Sequence, residues 1–151
     1  PPPGRENHPV TQVTYADANA YANWALKSLP TIAQWTRAFR GDDDRMYPWG
    51  DEWDSRRANV VENRSFAVGT SAVEATPEDV SPLGVFNLVG NVDEILRDRV
   101  VKDGSLTTIA KGAHSECRGS IYGAAPFQTY YLDENAADEV TGFRCVVEEL
   151  R

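Results

Sequence analysis

The sequence predicts an α+β domain in which loops outweigh both helices and strands. Three observations carry that class. Two capped helical segments lie close together near the N-terminus. Beyond Gly41 the chain turns rich in Gly, Pro, Asn and Asp, with only short apolar runs. No internal repeat and no long hydrophobic stretch offers a different architecture.

Residues 1–9 are Pro-rich and polar and read as a linker, leaving 10–151 as one domain. Val10–Val13 has the alternation of a short strand. Thr14 followed by Asp17 places a hydroxyl and a carboxylate where the orphan amides of a helix start need them. This predicts a helix over 15–27, with Ala18, Tyr21, Ala22 and Ala25 at 3–4 spacing as its buried stripe and Trp24 beside them in the core. After Leu29-Pro30, Thr31 and Gln34 form a second capping box. Ile32, Trp35, Ala38 and Phe39 mark the inner face of a helix over 32–40, closed by Gly41. Asp42-Asp43-Asp44 reads as a solvated turn. Strands are expected near 83–87, 107–112 and 142–148, and Trp49 is expected to pack a turn against the helices.

Composition bounds the function. The chain has 151 residues, 41% hydrophobic and 25% charged, which is ordinary for one folded domain. Fifteen basic against 23 acidic residues leave a net charge of −8. That balance argues against nucleic-acid partners, which need a basic face, and against anionic membrane surfaces. No apolar run approaches the roughly 18 residues of a membrane span, and Pro1-Pro2-Pro3-Gly4 does not resemble a signal peptide, so the compartment stays open. Cys117 and Cys145 cannot make a disulfide framework or a four-cysteine zinc site, and His8 and His114 show no metal-ligand spacing.

Six blocks then occur in a recognisable order: His8-Pro9-Val10 with Val13–Ala18; Leu29-Pro30-Thr31 with Gln34-Trp35; Tyr47-Pro48-Trp49-Gly50; Ala58-Asn59-Val60; Leu83–Val92; and Gly142-Phe143-Arg144-Cys145. Together they resemble the formylglycine-generating enzyme (sulfatase-modifying factor) family over roughly residues 8–147. The resemblance implies a loop-rich C-type-lectin-like fold with two helices near the N-terminus and small antiparallel sheets. It also implies a further run of strands ahead of His8, which these 151 residues do not include.

Enzymes of that family oxidise a peptide cysteine to formylglycine with copper held by two thiolates, and soft sulfur suits Cu(I). By resemblance Cys117 takes the first cysteine position, but the second is Tyr122, the active-site serine position is His114, and Asp93 replaces the tryptophan before the metal-site glutamate. Copper and the oxidase chemistry are therefore not expected; if the domain were an enzyme, Cys117 would carry the reaction. The family's partner for Cys145 corresponds to Ala22, which leaves Cys145 free and buried, although a Cys117–Cys145 disulfide is also compatible with the sequence. The resemblance further implies calcium at Asn87, Gly90, Val92 and Glu94, an oxygen set suited to a hard cation. A second site would begin at Asn59-Val60, without evident acidic ligands after it.

With catalysis set aside, the expected role is recognition of a protein or small-molecule ligand, within a larger bacterial protein. Similar domains include sensory parts of serine/threonine kinases and hypervariable proteins of retroelements. Their exposed face corresponds to Ala113–Thr141, which here carries His114, Glu116, Arg118, Tyr122, Phe127, Gln128, Tyr130 and Tyr131. Tyrosine suits such a face, being large, rigid and amphipathic, and at least one of Tyr130 and Tyr131 is expected to be core. Arg144 is expected to donate to buried carbonyls.

Overall fold

A computed structural model describes residues 1–63, 69–116 and 129–147. Both capping boxes form. Helix α1 spans Tyr15–Trp24, with the Thr14 side chain accepting from Asp17 N and the Asp17 carboxylate accepting from Thr14 N. Helix α2 spans Ile32–Arg40, capped in the same reciprocal way by Thr31 and Gln34 and ended at Gly41, whose φ of 72° favours glycine.

The strands depart further from expectation. A four-stranded sheet runs in the order β3-β2-β1-β4, with β1 at Asp93–Lys102, β2 at Ser105–Lys111, β3 at Thr129–Asp133 and β4 at Thr141–Phe143. β1 and β2 join through Asp103-Gly104, both at positive φ, as a tight hairpin requires. β2 pairs antiparallel with β1 and with β3, but β4 pairs parallel with β1, so the sheet is mixed rather than antiparallel throughout. Only β2 and the start of the 142–148 segment match expected strands. The 83–87 stretch contributes a single bridge, Val80 to Phe86, and the Val10–Val13 piece is irregular, with Gln12 at φ 58°.

β1 divides the core. Its consecutive residues point to opposite faces. Ile95 joins Ala18, Ala22 and Leu29 beneath α1, with Val13, Phe143 and Cys145 at the margin. Leu96 joins Trp35, Phe39, Val60, Leu88 and Ile109 beneath α2, with Trp49 and Trp53 packed against it. Trp24 corrects the expected stripe: α1 stops there, the residue is 78% exposed, and only Ala18 and Ala22 of that stripe are buried. Small alanines let α1 approach the sheet closely, while Tyr21 and Trp24 of the same helix stay exposed, Tyr21 with its ring edge-on to Phe143. The Asp42–Asp44 run pairs with Arg37, Arg45 and Arg40 at the surface. Ahead of the helices, Asn7 O accepts from Val73 N and the His8 ring bonds the Thr70 hydroxyl, so this stretch packs on the loops.

Candidate functional site

The end of the sheet where β1 and β4 begin and β2 ends gathers the charged residues of the interior. Parallel pairing sets Glu94 opposite Gly142, so Arg144 follows directly onto the Glu94 side. Arg144 Nε donates to Glu94 Oε2 at 2.6 Å and its Nη2 reaches Oε1. Nη2 also donates to the carbonyls of Phe86 and Asn87, both at 3.0 Å, which is the expected structural role of Arg144. Trp35 Nε1 donates to Glu94 Oε2 at 2.7 Å. A buried carboxylate is tolerable only when paired and hydrogen-bonded in this way. A cavity of about 800 Å³ opens over the pair, lined by Val73, Val85, Phe86 and Phe143 with Asn87 and Asn91.

Of the four residues of the calcium expectation, Asn87, Val92 and Glu94 line this cavity, and the side chains of Asn87 and Glu94 are engaged by protein. Both Glu94 oxygens serve Arg144, the Asn87 side chain bonds Thr76 and the Val73 carbonyl, and Gly90 O accepts from Val92 N. Arg144 supplies a positive charge to the Glu94 carboxylate. Gly90 has a structural reason of its own: a Cβ there would lie 2.4 Å from Asn59 O. Asn59 and Asn91 are bonded to each other and to Ser71, with Asn59 Nδ2 as the donor in its bonds.

Among the described residues two buried acids each leave one oxygen without a partner. Asp79 is 0% exposed; its Oδ2 accepts from Val89 N while Oδ1 has no partner, and burial pushes its carboxyl up to about 8. Asp93, at the expected tryptophan position, is 4% exposed with Oδ1 likewise unpartnered; burial, with Asp138 and Glu94 nearby, pushes it up to about 7. Neither behaviour is readable from one residue's neighbours in sequence, and Asp79 carries no motif at all.

Of the expected recognition face, His114, Glu116, Tyr130 and Tyr131 are described; Arg118, Tyr122, Phe127 and Gln128, together with Cys117, lie outside the described residues. His114 is half-buried, and burial lowers its basicity. Its Nδ1 accepts from Glu116 N at 3.3 Å, and its ring lies 6.5 Å from that of Tyr130. Tyr131 is exposed and stands under Lys102 instead, 4.7 Å from the ammonium. Cys145 is a free, half-buried thiol, held against the α1 cluster that contains Ala22, and burial raises its pKa. Lys111, 6% exposed on β2, lies over the Trp35 ring, and burial, with Arg40 nearby, lowers its pKa. Among the described residues no helix is long and apolar enough to cross a membrane.

Comparison with known proteins agrees with this geometry. The family model of the sulfatase-modifying factor enzyme 1-like domain matches residues 2–149. Over 97% of its length the chain is 34% identical to a formylglycine-generating enzyme of Thermomonospora curvata, and it spans 57% of that relative. It is 38% identical over 97 residues to the serine/threonine-protein kinase pkn1 of Chlamydia caviae, covering 64% of this chain and 15% of the kinase. In fold it superimposes on CarF with a TM-score of 0.79 at 21% identity, over 95% of this chain and 70% of that one. The Treponema denticola variable protein 1 follows at 0.75 and 15% identity, over 95% and 73%. With a family model spanning nearly every residue and the helix caps, core and Glu94–Arg144 pair in place beneath it, the chain belongs to the sulfatase-modifying factor, or formylglycine-generating enzyme, family.

Proposed function

We propose that this domain is a non-catalytic recognition module of a larger bacterial protein, using the end of the sheet around His114, Glu116 and Tyr130. The observation that carries the reading is the chemistry at the family's reaction centre. The chain holds Cys117 but Tyr122 at the second thiolate position, and one thiolate does not make the two-coordinate sulfur site that Cu(I) favours. The neighbouring positions change in the same direction, with Asp93 and His114 in place of a tryptophan and a serine. Likeness to a protein named a kinase and to one named a variable protein supports a binding role for such domains outside oxidation.

The reading is tested by incubating the protein with copper, oxygen and a cysteine-containing sulfatase-type peptide, followed by mass spectrometry. No mass loss from the cysteine is expected. Turnover abolished by Cys117→Ala would sink the reading and establish a divergent oxidase, the second reading, which the identity to formylglycine-generating enzymes favours.

A further inference from the structure

The cavity over the Glu94–Arg144 pair has the build of a second binding site. Among the described residues none of His114, Glu116 and Tyr130 lines it, so it goes beyond the recognition face and does not depend on it. Its volume of about 800 Å³ falls in the range of small-molecule sites, roughly 300–1,000 Å³. Val73, Pro77, Val85, Phe86 and Phe143 make most of the wall. Phe86 is 48% and Val73 44% exposed, so part of that apolar wall stands open. The charged groups lining it are Arg144, Glu94 and Glu74.

The polar groups decide the ligand class. A guanidinium is a planar fork of N–H donors with no acceptor. In Arg144, Nε and Nη2 are spent on Glu94 and on the carbonyls of Phe86 and Asn87. Nη1 makes no hydrogen bond among the described residues, and it is not sealed in, the side chain being 25% exposed. Phe86 and Asn87, whose carbonyls hold Nη2, both line the cavity, so the unspent end of the fork lies at its floor. The amides of Asn87 and Asn91 are already bonded to protein. A donor facing apolar space calls for an acceptor. A cation would meet the guanidinium. A carboxylate would meet Glu94, which already neutralises Arg144, and Glu74, and would lose its hydration among apolar side chains. A neutral carbonyl oxygen takes the bond without either cost.

The geometry points to this cavity as the site of an uncharged small molecule with an apolar body and a carbonyl oxygen, the oxygen accepting from Arg144 Nη1 and the body lying against Val85, Phe86 and Phe143. Arg144 and Phe143 also border a smaller cavity of about 520 Å³ beside Tyr21 and Cys145, so the test separates the two.

The test is an NMR titration of the full chain with three probes of similar shape. These are benzophenone; 1,1-diphenylethylene, in which a methylene replaces the carbonyl oxygen; and diphenylacetate, which carries a carboxylate. Benzophenone is expected to bind at least about tenfold more tightly than either, as one hydrogen bond to a charged group allows, and to shift the Arg144 guanidinium resonances. Phe86→Ala removes apolar wall at an exposed position and should weaken benzophenone binding about tenfold. Val73→Trp, also at an exposed position, fills the cavity and should abolish binding, with the melting temperature kept. Tyr21→Ala, on the smaller cavity, should leave binding unchanged. No binding of benzophenone, equal binding of it and the hydrocarbon, or full binding in both cavity variants overturns the proposal. Loss of binding in Tyr21→Ala alone places the site in the smaller cavity and overturns it as well. Tighter binding of diphenylacetate overturns the uncharged class. Formylglycine formed in the copper assay would end the recognition reading without touching this site.

Discussion

The two faces of β1 are held by different physics. On the α1 face, Ala18, Ala22, Leu29 and Ile95 pack as an ordinary apolar cluster. Toward α2, Trp35 and Phe39 also pack apolar neighbours, but their cluster borders a polar interior built from Glu94, Arg144, Asn59, Asn91 and Asp79. An apolar cluster degrades gradually when trimmed. A buried polar network fails when one member is lost, because the remaining group keeps its full desolvation cost.

The sharpest way to break the comparison is Arg144→Met. It strands Glu94 in the interior and should cost about 3–5 kcal/mol in urea unfolding, with Glu94→Gln/Arg144→Met recovering part of that. A double variant no more stable than the single one would show that the pair is not the cause. Gly90→Ala follows at about 3 kcal/mol or more, because φ of 79° and the 2.4 Å approach to Asn59 O leave no room for a methyl group. A calorimetric loss below about 1 kcal/mol would mean that the loop yields.

A pH series sharpens the contrast. Asp79 and Asp93 stay protonated in the fold to about 8 and about 7, whereas in the unfolded chain they ionise near the ordinary carboxylate value. The native state therefore holds more protons in that window. Their stabilising contribution is complete at acid pH and is lost as pH rises through those values. The melting temperature should fall between about pH 5 and about pH 9, and fall less in Asp79→Asn. A slope identical in wild type and variant would remove Asp79 as a source.

Smaller effects belong to the helices and to the implied cation. Thr31→Ala removes one half of a reciprocal cap and should cost about 1 kcal/mol. Trp24→Ser, although it deletes the largest side chain type, should change stability by less than about 0.5 kcal/mol. Because Arg144 occupies Glu94, chelator and added calcium should leave the melting temperature unchanged. A calcium-dependent rise that Glu94→Gln abolishes would mean the arginine can be displaced.

This contrast also explains what the sequence disclosed. The caps are local devices: Thr14 with Asp17 and Thr31 with Gln34 lie three residues apart, so both helices were legible to within a turn. Trp24 is misplaced because the helix ends at that residue, and its ring lies against the exposed Tyr21 ring rather than under the sheet. β1 was not anticipated because its buried start, Asp93-Glu94-Ile95-Leu96, has no alternation of polar and apolar residues. It is held as a strand by β2 across the hairpin and, at its start, by the distant β4, and Arg144 could be assigned its carbonyls only in general terms. β3 follows a stretch outside the described residues and has one aromatic on each side, which reads equally as surface or core. The family blocks located Glu94, but nothing local reveals that Arg144 pairs with it, or that Asp79 lies nearby.

The parallel pairing of β4 with β1 has a consequence for the order of events during synthesis. Residues beyond 140 complete the sheet, cancel the charge of Glu94, and through Val146 bridge back to Ser28 in the connection between the two helices. While the ribosome still holds those residues, the emerging chain carries a buried-type carboxylate without its counter-ion and a strand without its neighbour. Such long-range closure slows folding. The helical pair can form early, but the domain becomes one cooperative body only once its last strand is free, and until then it is the kind of chain that chaperones retain.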